Sequence, residues 1–208
     1  LLRFDKDKIY TYIDFETENL CLNGNQNLPW QTGMIKVKGD KKVDEKDYKM
    51  KWPRDINVSA EAARITRFRH ENYIKVAQPV EELFPTIEDW LENCDYIVGH
   101  NILGFDIYFI KELYQLLGKK YEHLVHKIID TNCIARGIKM GKPYTPNTSL
   151  VEYQYKIYHT KKRGIKSSLI ALGKEFEINH DYDKLHDAVV DLELNLKIWN
   201  KLKWQVEI

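Results

Sequence analysis

The chain has no run approaching 18 consecutive apolar residues, so nothing in it reads as a membrane-spanning helix, and its start lacks the apolar centre of a secretion signal. Cysteine is scarce. Cys21, Cys94 and Cys133 have no close metal-type spacing, and their odd number argues against a secreted disulfide framework. An excess of either charge is lacking too: 32 basic residues against 31 acidic ones give a formal net charge of +1, so any attraction for a polyanion must come from local patches. Internal repeats and low-complexity tracts are absent, while 43% hydrophobic residues in 208 suffice for a packed core. The expectation is an intracellular, cytoplasmic globular protein with no membrane partner. A chain that begins at Leu1 rather than Met also fits a piece of a longer one.

What is present alternates strand with helix. "KIYTYIDF" at 8–15 reads as a strand, and "TGMIKVKG" at 32–39 reads as its hairpin neighbour across a turn-rich stretch. The polar segment that follows allows an edge strand near 48–52, whose lysines would discourage further pairing. Ser59 can start a short helix, "TIEDWLENC" ends another, and "DYIVGH" is a compact apolar strand. From Gly104 the apolar residues recur at helical spacing, and "HKIIDTNCIARGIK" repeats the strand-to-helix order with Asp130 or Thr131 able to cap the helix. Two helices, over "SSLIALGKEFE" and "HDAVVDLELNLKIWNKLK", close the chain. The fold class expected from this order is α/β.

Three places carry candidate chemistry. Asp14 and Glu16, two apart on a strand, project from one face while Phe15 points to the other. Neighbouring carboxylates repel, and a divalent cation relieves the repulsion; oxygen ligands favour Mg²⁺ or Mn²⁺ over zinc. Asp106 lies within the aromatic run "GFDIYFI", where a lone charge calls for a partner. In "LHDAVVD", His186 and Asp191 are five residues apart, about 140° off alignment on a helix at roughly 100° per residue. His186 is therefore expected in the approach to the helix and Asp191 in its first turns.

Taken in order, these motifs resemble the DnaQ-type, or DEDDh, family of 3′-to-5′ exonucleases: "DFETENL" is similar to its first motif, "GHNILGFD" to its second and "HDAVVD" to its third. Glu18 and Asn19 depart from the family's usual Thr/Ser and Gly. The resemblance implies a ribonuclease H-like fold with a mixed central sheet of about five strands flanked by helices, forming a single domain over 1–208 with a basic aromatic elaboration at about 139–166. It implies that Asp14, Glu16, Asp106 and Asp191 hold two divalent ions, Mg²⁺ or Mn²⁺, and that His186 is the general base. Leu20 corresponds to a residue packing on the terminal bases, and Thr17, Asn101 and Phe105 to others that shape the substrate site; His100 and Asn101 are expected to be mainly architectural.

The chemistry fits those residue types independently. Phosphodiester hydrolysis profits from two cations about 3.5–4 Å apart, one favouring hydroxide and one the departing oxygen. An imidazole of ordinary pKa, about 6.5, suits proton removal from water near neutral pH. The implied partner is a single-stranded or frayed DNA 3′ end. RNA, a polymerase and a second copy of the chain are the further partners considered, and a 3′-to-5′ exoribonuclease, a short-oligonucleotide nuclease or a noncatalytic binding module are the alternative functions.

Segment 139–166 carries Lys139, Lys142, Lys156, Lys161, Lys162, Arg163 and Lys166 against Glu152 alone, interleaved with tyrosines. Lys161, Lys162 and Arg163 are the candidate phosphate contacts there. The competing reading has the rings buried against the domain and the lysines merely solvated. Asp187, beside His186, is a competing ligand or a helix cap.

Overall fold

A computed structural model describes residues 7–22 and 27–208. Strand β1 (Ile9–Thr17) is followed by β2 (Pro29–Lys38), β3 (Lys41–Lys51), helices α1 (Ala60–Thr66) and α2 (His70–Val76), a two-residue strand β4 (Gln78–Pro79) and α3 (Val80–Glu92). Then come β5 (Tyr96–Gly99), α4 (Asp106–Leu116), β6 (Ile128–Asp130), α5 (Thr131–Lys139), α6 (Leu150–His159), α7 (Leu169–Glu175) and α8 (Ala188–Leu202).

The sheet runs β4-β3-β2-β1-β5-β6, six strands where about five were expected, in a mixed α/β arrangement of the ribonuclease H-like kind. β1, β2 and β3 form an antiparallel meander, whereas β5 and β6 are parallel to β1 and to each other. β3 is a full strand of 11 residues rather than a short edge at 48–52. Its sequence hides this because most of its side chains face solvent and leave little alternation.

Alternation along β1 divides the core. Ile13 and Phe15 pack with α3 and α4 on one face of the sheet, while Tyr12 packs with α5, α7 and α8 on the other. α8 is held by buried Leu192, Leu194, Ile198 and Trp199, with Ala188 and Asn195 buried at the same face. Asp14 and Glu16 therefore leave β1 on the α8 side. Trp30, Trp52, Trp90 and Trp199 are buried, as packing residues would be, and Trp204 is exposed.

β1 pairs with β5 only from Tyr10 to Tyr12, so its carboxyl end runs on beyond the parallel pairing. The chain leaves β1 for β2 and β3 on one side and returns to β5 on the other, and ligands of open α/β sheets bind in the crevice at such a reversal. Segment 139–166 proves more regular than its sequence suggests, because 150–159 is helical. Ser149 caps that helix, and the buried Gln154 side chain accepts from the Asp130 N–H and donates to the Ile128 carbonyl, pinning α6 to β6. Among the described residues no helix is long and apolar enough to cross a membrane.

Candidate active site

Asp14 stands opposite Gly33 in the β1–β2 register. A Cβ on Gly33 would lie 2.9 Å from both the Ala188 carbonyl carbon and the Val189 nitrogen, so the start of α8 rests directly on this glycine. That approach brings Asp191, in the first turn of α8, over β1: carboxylate oxygens of Asp14, Glu16 and Asp191 lie within 4.8 Å of one another. Gly33 was not singled out by sequence, although a glycine inside a strand is the signal for close backbone approach.

Asp187 caps α8, its Oδ1 accepting from Val189 and Val190 N–H at 3.2 and 3.4 Å. His186 precedes the cap in a left-handed conformation (φ 68°), largely exposed, and its backbone N–H donates to Asp191 Oδ1 at 3.1 Å. The bond ties the imidazole-bearing residue to the acid cluster while leaving its side chain off the helix. Partial desolvation, then the charge of Arg67, holds its pKa below the usual histidine value.

Asp106 is the first residue of α4 and is buried. It does not cap the helix; its Oδ1 accepts from the Phe15 N–H of β1 at 3.2 Å, across the crevice beyond β5. Among the described residues it falls outside the 4.8 Å group, but its charge is the first, after burial, to raise the pKa of Asp14. Burial followed by mutual repulsion raises the whole set: Asp14 well above the carboxylate range, Glu16 to about 8 and Asp191 to about 6. Asp106 is pushed up to about 8, mainly by burial. No ion pair involves these four acids among the described residues; Lys49 at Glu16 and the N–H groups of Phe15 at Asp106 and His186 at Asp191 only partly offset the effect. Clustered buried carboxylates without a cationic side chain are a donor set suited to a hard divalent ion.

The second motif is braced from beneath. Asn101, itself left-handed (φ 65°), and Leu103 donate their N–H groups to the buried Asp130 carboxylate, which also caps α5 through Asn132 and Cys133. Thr131 links Gly99, His100 and Asn195. Phe105 stacks edge-on against Phe109 at 5.0 Å, between that brace and Asp106. Tyr158 of α6 lies against Gly104, where a Cβ would meet its hydroxyl at 2.6 Å. Lys161, Lys162 and Arg163, three to five residues further along the chain, are exposed and are not among the residues the structure brings to the acid cluster.

After β1 the chain departs from the expected pattern in a way the structure explains. Glu18 is fully buried and grips Arg54 with both oxygens, at 2.7 and 2.6 Å, and accepts from the N–H groups of Leu28 and Asn57. Thr17 Oγ1 donates to the Asn19 carbonyl at 2.6 Å, and the Asn27 amide binds Asn19 and Cys21. The loop is held by side chains where a Thr/Ser–Gly turn was usual. Leu20 stands exposed at its edge.

A family model described as an exonuclease, RNase_T, matches residues 11–199. The chain belongs to this exonuclease family. No curated protein sequence matches it. Among solved structures, E. coli exonuclease I in complex with a dT13 oligonucleotide is similar with a TM-score of 0.74 at 15% identity, over 95% of this chain and 41% of that one. The zinc-bound form of an E. coli exonuclease I complex with single-stranded DNA gives 0.71 at 15% identity, over 94% and 40%. Exonuclease X in complex with 5′-overhanging duplex DNA gives 0.55 at 20% identity, covering 95% of each chain. The likeness is one of fold, and the chain spans about two fifths of the exonuclease I chain.

Proposed function

We propose that the protein is a metal-dependent 3′-to-5′ exonuclease that hydrolyses phosphodiester bonds at the 3′ ends of single-stranded or frayed DNA and releases nucleoside monophosphates. The observation that carries this reading is the meeting of Asp14, Glu16 and Asp191 within 4.8 Å, without a cationic partner and with His186 tied to Asp191. These three, with Asp106, would hold the two divalent ions, Mg²⁺ or Mn²⁺. Bound ions of this kind supply charge neutralisation at the phosphoryl group and the departing oxygen.

The chain's own residues supply the rest. His186, kept neutral near pH 7 by its lowered pKa, accepts a proton from the attacking water at a ring nitrogen. Its left-handed backbone lets the ring swing over the cluster while the N–H bond fixes its base. Leu20 and Phe105 offer apolar contact to the terminal bases, while Thr17 and Asn101 hold the loops that present them. Lys161, Lys162 and Arg163 contact backbone phosphates. The reading takes 1–208 as a single exonuclease domain acting in the cytoplasm, with 139–166 as its basic elaboration.

A confined acid site favours a strand end that need not be unpaired, and the oligonucleotide and single-stranded DNA complexes of exonuclease I support that substrate. The test compares 5′-labelled and 3′-labelled single-stranded DNA and RNA with Mg²⁺, Mn²⁺ or EDTA. The expected result is a ladder shortening from the 3′ end, immediate release of a 3′ label as mononucleotide, and no reaction in EDTA. Cleavage of circular DNA contradicts the exonuclease reading, and faster loss of RNA moves the substrate to the ribo series.

A further inference from the structure

Beside the acid cluster lies a cavity of about 250 Å³. Its apolar wall is a chain of rings, Trp30 edge-on to Phe68 at 4.9 Å and Phe68 tilted against Tyr73 at 5.5 Å. Lys49, Arg67 and Arg69 line it against one acid, Asp187. Lys49 is paired with Asp47, and Arg67 donates to the Asp183 carbonyl. Arg69 is exposed and has no ion pair among the described residues.

The lining suggests a class of ligand, and its position connects the cavity to the site. Trp30 is 95% buried, being 5% exposed, and its indole N–H has no acceptor among the described residues. That nitrogen has almost no accessible surface, so it is a packed reporter in the cavity wall rather than a contact for an occupant. The cavity is also contiguous with the acids: Asp187 caps the helix carrying Asp191, and Gln31, another lining residue, stands opposite Glu16 in the β1–β2 register. Ring faces with a cationic rim are what a nucleotide needs, a planar base on the aromatic wall and a phosphate on guanidinium groups.

We infer that this cavity is a nucleotide subsite, taking one base on the Phe68 ring, which Trp30 backs from beneath, with its phosphate on Arg67 and Arg69. Only the origin of the nucleotide rests on the nuclease reading. It is either a further unit of the bound strand or a released monophosphate. Neither the first motif nor the second contributes to the wall, so the subsite is separate from the Leu20 and Phe105 contacts.

The test follows the Trp30 indole N–H resonance of the full chain, assigned with Trp30→Phe, during titration with dTMP, dT4, inorganic phosphate and a polyglutamate peptide in EDTA. Movement with dTMP or dT4, weakened at least about fivefold by Phe68→Ala or Arg69→Ala, supports the subsite; that factor is the low end of losing one base–aromatic stack. Both variants should keep the wild-type thermal midpoint to within a few degrees. With Mg²⁺, a raised KM for dT4 but not dT2 in Arg69→Ala assigns the site to the strand. Relief of dTMP inhibition with unchanged KM assigns it to the product. An unmoved resonance with unchanged binding in both variants overturns the inference. So does an equal response to phosphate or polyglutamate, which would mark a rim selecting charge alone. Because the titration is run in EDTA, a chain that fails to cleave with Mg²⁺ sinks the nuclease reading without deciding this one.

Discussion

Glu16 and Glu18 leave the same strand end two residues apart, and their environments are opposite. Glu18 is buried with Arg54 and two backbone N–H groups, and those partners lower its pKa despite the cost of burial. Glu16 is buried beside three further acids, and its pKa rises to about 8. Where the fold needs a buried carboxylate for support, it supplies the donors. Where it gathers carboxylates, it supplies one backbone N–H each to Asp106 and Asp191 and no ion pair among the described residues, and a divalent cation would relieve the repulsion that remains. The difference separates a structural acid from a candidate ligand without reference to any relative.

The largest expected effect falls on the unpartnered side. Asp14→Asn should reduce cleavage by about a thousandfold, several kcal/mol of lost charge stabilisation, while raising the thermal midpoint of the metal-free protein because an acid that burial and its neighbours disfavour as a carboxylate is replaced by a neutral amide. A lowered metal-free midpoint would place Asp14 with Glu18, as a structural acid. His186→Ala should cost about 10² to 10⁴ in turnover, read in single-turnover kinetics at saturating Mg²⁺, with metal affinity unchanged.

On the partnered side, Glu18→Ala should destabilise the protein by roughly 3 kcal/mol, measured by urea unfolding, since it orphans the N–H groups of Leu28 and Asn57. Near-wild-type stability would remove the contrast between the two glutamates. The two sides also carry opposite pH signatures. Glu16 and Asp106 have folded pKa values raised to about 8, above their unfolded values, so they favour the fold at low pH and that contribution is lost as pH rises from about 4 to about 8. Glu18, lowered, contributes above its unfolded value and loses that contribution as pH falls through its folded value. Without metal, the thermal midpoint should decline steadily between pH 5 and 8, by on the order of ten degrees or more, and saturating Mg²⁺ should abolish the decline. The smallest effect is expected at the basic run: neutralising Lys161, Lys162 and Arg163 together should flatten the salt dependence of binding by up to about three charges and spare cleavage of a saturating short substrate.

The strand period of two makes the shared face of Asp14 and Glu16 legible in sequence, and helical arithmetic separates His186 from Asp191, because both depend on neighbours in the chain. Asp106 is conspicuous as a charge among aromatics, but its partner, the Phe15 N–H, lies on another element. Glu18 cannot be read as structural from "DFETENL", since Arg54 reaches it from 36 residues away. β3 shows only its far end, near 48–52, and α6 escapes notice for a related reason: polar faces blur their periodicity, and Gln154 anchors α6 to β6 through contacts that no local pattern encodes. The ring-walled cavity joins β2, β3, the α1–α2 turn and the start of α8, and only the folded chain assembles it.

Calorimetric titration of the metal-free protein with Mn²⁺ at pH 7, repeated in buffers of different ionisation enthalpy, tests the acid cluster most directly. Binding should occur in the wild type, weaken strongly in Asp14→Asn, and release protons, because Glu16 and Asp106 are protonated near pH 7 until a cation displaces their protons. Absence of Mn²⁺ binding, or binding unaffected by Asp14→Asn and without proton release, would contradict the account.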